Sequence, residues 1–205
     1  MAILSGCLFV IIRALMNERE HEMDERFAQI KRECLKSASK DPVALLIELM
    51  NKDYIAIHGP EHHVLDGACL LTALHNAGMD FDLEAALDEM IERGSKMPGA
   101  TCGQWGVCGS AASMGAALSI IHGTGPLSGG QYYKDNLRLA SQALDKIADV
   151  GGPRCCKRNA YLSILTAIDF VSHQYGITLP KGDIACAFSK QNRQCIGASC
   201  PFFKG

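Results

Sequence analysis

The strongest constraint in this sequence is a succession of segments with helical spacing of apolar residues, most of them bounded by glycine or proline. Seven such segments predict α-helices at 17–35, 42–52, 61–77, 82–94, 107–122, 129–150 and 155–175. No segment alternates apolar and polar residues with the two-residue period of a half-buried strand. We therefore expect an all-α fold, a single helical domain of about six to seven helices.

The same reading divides the chain into three parts. An N-terminal helical segment spans 1–40, a helical core with a Cys/His site spans 41–182, and an irregular, cysteine-rich tail spans 183–205 and packs on the core. Hydrophobic residues make up 48% of the chain but aromatic residues only 6%. The core must therefore be built from aliphatic and small side chains.

Charge and motif content narrow the possible functions. The formal net charge of −2 argues against a strongly basic nucleic-acid-binding surface. The sequence has no GxGxxG fingerprint, no P-loop and no GxSxG elbow. We therefore expect neither nucleic-acid binding nor nucleotide binding through the common motifs.

Ten cysteines in 205 residues are the compositional anomaly. The apolar stretch 1–15 lacks the basic start and cleavage site of a signal peptide, and it is too short to span a membrane. We therefore expect a cytoplasmic protein with reduced thiols, and thiols in this number point to metal or redox chemistry. The apolar run is more than one helix face needs, which suggests a homodimer formed through the N-terminus.

A dense group of polar residues begins at His58 and includes Glu61, His62 and His63. On a helix, His62, Asp66 and Cys69 share one face, since they are spaced four and three residues apart. Imidazole, carboxylate and thiolate on one stripe are able to bind a metal ion or relay a proton. The alternative is a polar helix start that caps free N–H groups, with Cys69 as a small core residue.

Two further cysteine groups lie at predicted helix starts. Cys102 and Cys108 flank Trp105 in a glycine-rich loop, and Cys155 and Cys156 follow Gly-Gly-Pro-Arg. The helix dipole and the cations Arg154, Lys157 and Arg158 are expected to favour the thiolate form, which is both nucleophile and metal ligand. Tight helix packing explains the small residues after Cys108 but neither these cysteines nor Trp105.

The tail carries the last three cysteines, Cys186, Cys195 and Cys200. Three thiols in irregular chain need something to hold them, either a metal ion with a fourth ligand from elsewhere or a disulfide. Cys7 and Cys34 lie on apolar helical faces and are expected in the core.

These blocks together resemble an uncharacterised cysteine-rich family of anaerobic bacteria and archaea. The resemblance covers most of the chain from Asp41 onward and rests on four blocks, at 58–63, 102–109, 151–158 and 195–202. Some members of that family are fused to methyltransferase domains, which implies a partner enzyme of that kind.

A weaker resemblance links 66–158 to the C-GCAxxG-C-C family of redox proteins. Cys69 matches its first cysteine, 108–110 its central block, and Cys155 or Cys156 its later cysteine, but Ser110 and Ser113 depart from the pattern. The two resemblances imply an α-helical fold and a cysteine-based metal or redox site.

We expect a metal-thiolate protein with a redox or sulfur-handling role, holding an iron–sulfur cluster or, alternatively, zinc. The expected metal ligands are Cys102, Cys108, Cys155, Cys156, Cys186, Cys195, Cys200, His62 and His63. The expected cofactor-binding residues are Trp105, Arg154 and Arg158. Two alternatives stay open: an enzyme with Cys155 or Cys156 as nucleophile and His62 or His63 as its acid–base partner, or a zinc-stabilised module that binds a partner enzyme.

Overall fold

A computed structural model describes residues 22–205. The described chain forms eight α-helices and no strand, so the predicted all-α class is confirmed. The helices are α1 (22–36), α2 (Pro42–Met50), α3 (His62–Asn76), α4 (Leu83–Ser95), α5 (Thr101–Gln104), α6 (Gly109–Ile121), α7 (Gly130–Val150) and α8 (Cys156–Tyr175). The short α5 lies in what the sequence predicts to be a loop.

Local sequence explains where several of the helices begin and end. Asp41 caps α2, accepting hydrogen bonds from the backbone N–H groups of the second and third helical residues, and Pro42 is the first residue of that helix. Asp82 caps α4 in the same way. Gly176 ends α8 in the left-handed conformation, at φ 69°.

Helix α6 lies at the centre of the fold and contacts α3, α4, α7 and α8. Its small residues allow these close approaches. A Cβ atom added at Gly115 would lie 2.8 Å from the backbone oxygen of Asn136 on α7. On the α3 side, Ser113 Oγ accepts a hydrogen bond of 2.8 Å from the backbone N–H of Gly67. The small residues of α6 therefore serve close helix packing, as the sequence allowed.

One hydrophobic core joins all parts of the described chain. Phe27 and Ile30 of α1 belong to it, and so do Phe188 and Phe202 of the tail. The described part of the N-terminal segment and the tail thus pack on the same core as the helices between them. The apolar stretch 1–15, with Cys7 and the expected dimer contact, lies outside the described residues.

The helices of residues 22–205 include no candidate for a membrane-spanning segment. None of them combines the length and the apolar character that crossing a bilayer requires.

Replacing Gly115 by alanine tests the close approach of α6 and α7. Because the added Cβ would meet backbone rather than a movable side chain, we expect Gly115→Ala to lower the free energy of unfolding by about 1–3 kcal/mol. Urea denaturation followed by circular dichroism measures this. The matched control is Gly103→Ala in α5, where an added Cβ meets nothing within 4 Å. Equal midpoints for the two variants would contradict the packing described.

Candidate functional site

The starts of α3, α5, α6 and α8 surround a cavity of about 260 Å³, which we name the histidine cavity. Its walls contain six of the predicted site residues. The lining residues are His58, Gly59, Pro60, His62, His63, Gly99, Ala100, Thr101, Cys102, Cys108, Gly109, Ser110, Arg154, Cys156 and Asn159. The first block of the sequence, the glycine-rich loop and the second of the paired cysteines therefore meet at one place.

His62 and Asp66 form a buried pair beside this cavity. The side chain of Asp66 is fully buried and that of His62 is 1% exposed, and His62 Nδ1 lies 3.3 Å from Asp66 Oδ1. The other ring nitrogen, His62 Nε2, is buried and has no hydrogen-bond partner. A carboxylate that accepts the Nδ1 proton leaves Nε2 as a free acceptor, as in metal-ligating and catalytic histidines.

His63 is held by two contacts of its own. Its Nδ1 lies 3.1 Å from the backbone oxygen of Met97, and its ring packs so closely on α6 that a Cβ added at Gly109 would lie 2.0 Å from ring carbon Cδ2. Glycine at position 109 is therefore required by the position of this imidazole. Burial lowers the pKa of His63, which favours the neutral ring.

One thiol of the histidine cavity receives an N–H donor. Cys108, at the N-cap of α6, accepts a hydrogen bond of 3.3 Å from Asn159 Nδ2. Cys156, the first residue of α8, lines the same cavity. N–H donors directed at sulfur are the hydrogen bonds that stabilise a thiolate ligand.

A second, much smaller cavity of about 20 Å³ lies on the other side of the start of α8. We name it the thiol cavity, because four cysteines from two distant parts of the chain line it. Its walls are formed by Cys155, Arg158, Tyr161, Cys186, Phe188, Ser189, Asn192, Gln194, Cys195, Ile196, Cys200 and Phe202. The tail cysteines thus meet a fourth thiol, and that thiol is Cys155.

Two of these four sulfur atoms receive N–H donors. Cys155 accepts from the backbone N–H of Arg158 at 3.4 Å and from Asn192 Nδ2 at 3.3 Å. Cys195 accepts from the backbone N–H two residues ahead, at 3.4 Å. Short turns that direct backbone N–H groups at sulfur suit metal–thiolate ligation.

His58 and Asn192 join the two cavities by hydrogen bonds. His58 Nδ1 accepts from the backbone N–H of Cys156 at 3.5 Å, so Nε2 carries the proton and donates to Asn192 Oδ1 at 3.0 Å. The same asparagine donates to Cys155. Nothing in the sequence around Asn192 or Asn159 marks them as site residues, and sequence reasoning missed both.

The structure divides the expected metal ligands and cofactor-binding residues between the two cavities. Cys155 lines the thiol cavity, whereas Cys102, Cys108 and Cys156 line the histidine cavity. Of the three expected cofactor-binding residues, Arg154 lines the histidine cavity and Arg158 the thiol cavity. Trp105, with 64% of its side chain exposed, lines neither.

Cys69 does not reach either cavity with the other residues of its helical stripe. It is fully buried in the core, and burial raises its pKa. Of the helical stripe, only His62 and Asp66 therefore reach the site. Glu61 has a structural role, since it accepts a 2.7 Å hydrogen bond from the backbone N–H of Ala56.

Burial opposes the thiolate form that we expected for the paired cysteines. Burial raises the pKa of Cys108 and Cys155 and raises that of Cys156 to about 12. Desolvation of the charged form outweighs the N–H donors and the nearby cations. One of those cations turns away, because Lys157 Nζ donates to the backbone oxygens of Met50 and Ile55.

Residues 30–203 match the family of unknown function DUF5714. The chain belongs to this family. No curated protein and no solved structure matches it.

No ready-made metal site is present in the described residues. Within residues 22–205, no three His, Cys, Asp or Glu side chains are close enough together to coordinate a metal ion as they stand. Binding in either cavity therefore requires thiol side chains to turn toward a common point. Rotation about the Cα–Cβ bond is the movement available to them.

The raised pKa predicts low reactivity of Cys156. With a pKa of about 12, little of this thiol is ionised at about pH 8, and only the thiolate attacks iodoacetamide. In chelator-treated protein we expect Cys156 to be alkylated at least about 100-fold more slowly than in the same protein unfolded in urea. Pulsed alkylation with peptide fragmentation measures both rates. Faster labelling in the folded protein than in urea would show an activated nucleophile instead.

Proposed function

We propose that this chain is a metal-thiolate protein with a redox or sulfur-handling role, and that the thiol cavity holds its metal. The observation that carries the proposal is the convergence of Cys155, Cys186, Cys195 and Cys200 on one small cavity. Four thiolates form the common ligand set of structural zinc, and they also bind iron.

The size and chemistry of the thiol cavity support this assignment. A volume of about 20 Å³ is close to that of one water-sized sphere, which suits a single ion better than a cluster of several atoms. The Arg158 backbone N–H and Asn192 Nδ2 already point at the first sulfur. The metal would supply a bond between the tail and the start of α8, and iron in place of zinc would add electron transfer.

The surroundings of the proposed centre compensate the charge of its thiolates. Arg158 has its guanidinium next to the start of α8, where Nη2 donates to the backbone oxygens of Gly151 and Pro153. Four thiolates around a divalent ion leave two negative charges, which a buried cation and the N–H donors offset. All nine described cysteines are free thiols, which fits a reducing compartment such as the cytoplasm of an anaerobic organism.

A second candidate function is a cysteine-nucleophile enzyme with Cys156 and His62. One observation favours it, the hydrogen bond of Asp66 to His62 beside a cavity that Cys156 also lines. In that arrangement Asp66 orients the imidazole, and His62 Nε2 takes the thiol proton. The raised pKa of Cys156 speaks against this role in the protein without a metal.

Metal analysis of protein purified without oxygen tests the proposal. We expect Cys200→Ser and Cys195→Ser to lose the bound ion of the thiol cavity, because three thiolates hold zinc or iron more weakly than four. Elemental analysis identifies the metal, and the visible spectrum separates colourless zinc from a single iron or a brown iron–sulfur cluster.

The matched control is Cys34→Ser, the same substitution at a buried thiol outside both cavities. Helical circular dichroism shows that each variant is folded. A wild-type protein free of zinc and iron, even after reconstitution with both, would overturn the proposed function.

We further propose that the apolar N-terminal segment pairs two copies of the chain, and that exposed apolar side chains bind a partner enzyme such as a methyltransferase. The support for the partner surface is that Leu127 is almost fully exposed and that Tyr132 and Leu137 lie more than half exposed on the following helix.

Deleting residues 1–16 tests the proposed pairing. Removal of the apolar run takes away the surface that would be buried between copies, so the mass in solution should fall from that of a dimer to that of one chain. Light scattering coupled to gel filtration gives the mass. An unchanged mass would contradict the pairing.

A further inference from the structure

Three helices begin at the histidine cavity, and each begins with a side chain that is able to bind a metal. His62 is the first residue of α3, Cys108 caps α6, and Cys156 is the first residue of α8. All three line the same cavity. The positive ends of the helices favour thiolate sulfur at these positions once a cation replaces the thiol protons.

Two buried polar atoms at this cavity, His62 Nε2 and Asn159 Oδ1, lack a hydrogen-bond partner. In the tautomer whose Nδ1–H donates to Asp66, His62 Nε2 is an acceptor, and an amide oxygen is always an acceptor. Both side chains are at least nine-tenths buried. Buried acceptors without partners are costly, so the missing group is a cation or a hydrogen-bond donor. The sulfur atoms of Cys108 and Cys156 on the same wall favour a metal cation over a hydrogen-bond donor.

The hydrogen bonds behind these atoms are those that a metal centre requires. Asp66 fixes the tautomer of His62, and Asn159 Nδ2 donates to Cys108. A carboxylate behind a histidine and an N–H behind a thiolate orient metal ligands and strengthen their binding.

We propose that the histidine cavity is a second metal site, in which His62 Nε2, Cys108 Sγ and Cys156 Sγ bind a divalent transition metal of the zinc class. Such a Cys₂His set leaves the fourth position open, as in catalytic zinc sites, and here it faces a cavity of about 260 Å³. This site shares no ligand with the metal proposed in the thiol cavity.

Metal binding at this site is balanced by the release of two protons. The Cys108 and Cys156 thiols each give one proton to solvent, the two thiolates bind the divalent ion, and the result is neutral. Both thiols must turn into the cavity, since no three donors already enclose a metal position in the described chain. Arg154 remains as a positive charge on the cavity wall, so a small anion suits the open position.

Cobalt titration of the full chain tests this site. Co²⁺ replaces zinc at thiolate sites, and its visible bands report the ligand set. In the Cys200→Ser background, where the thiol cavity is impaired, we expect one Co²⁺ per chain bound in the histidine cavity. Adding His62→Gln, Cys108→Ser or Cys156→Ser should abolish its thiolate–cobalt bands. Adding Asp66→Asn should weaken cobalt binding by about 10–100-fold.

Control variants separate the ligands from their neighbours. His75→Ala, at the exposed end of the same helix, should leave cobalt binding unchanged. Cys102→Ser should also retain the ion, because Cys102 is not one of the three proposed ligands. If Cys102 were a fourth ligand, it would close the open position. Azide should then shift the visible bands of the bound cobalt. Loss of the ion in Cys102→Ser, or no shift with azide, would overturn the open position.

The two proposals fail in different ways. If His62→Gln, Cys108→Ser and Cys156→Ser each bind as much cobalt as their Cys200→Ser parent, the second site is wrong and the metal of the thiol cavity is unaffected. If the thiol-cavity variants keep all their metal while the His62 variant loses one ion, the proposed function fails and the second site stands. Helical circular dichroism of each variant confirms that the loss is not unfolding.

Discussion

Cys155 is the N-cap of α8 with extended backbone and Cys156 is the first helical residue, so the two adjacent thiols diverge into two different cavities. The division of the remaining site residues follows from it. The tail, with Asn192, packs on the side of the first cysteine, and the starts of α3 and α6 pack on the side of the second. One dipeptide thus contributes to two chemically different environments, one lined mainly by sulfur and apolar groups and the other by imidazole, sulfur and amide.

The all-α fold could be predicted from the sequence, and so could several of the residues that line the two cavities, because both depend on local signals. Periodicity and caps such as Asp82 mark the helices, and cysteines at helix starts are brought together when those starts converge. The small residues of α6 also had a local signature, and the approach of Gly115 to α7 explains it.

The features that the sequence did not reveal depend on how the helices pack against one another. Neither the separation of Cys155 from Cys156 nor the removal of Cys69 to the core follows from spacing, since both depend on which helices are neighbours. The pKa values are another case. Helix starts and neighbouring cations predicted thiolates, but the extent of burial, which no local pattern gives, raises the pKa of Cys156. Trp105 was expected at the site because Cys102 and Cys108 flank it, but proximity in sequence does not bring its side chain into either cavity.

The hydrogen bonds from Cys156 through His58 to Asn192 and on to Cys155 have a thermodynamic consequence. A ligand that fixes the side chains of either cavity would also fix the hydrogen bond between His58 and Asn192, which joins it to the other cavity. The second binding event would then meet a smaller loss of conformational entropy. Such coupling is reciprocal, because each ligand must change the affinity of the other by the same factor. The two cavities are therefore expected to fill, and to empty, cooperatively.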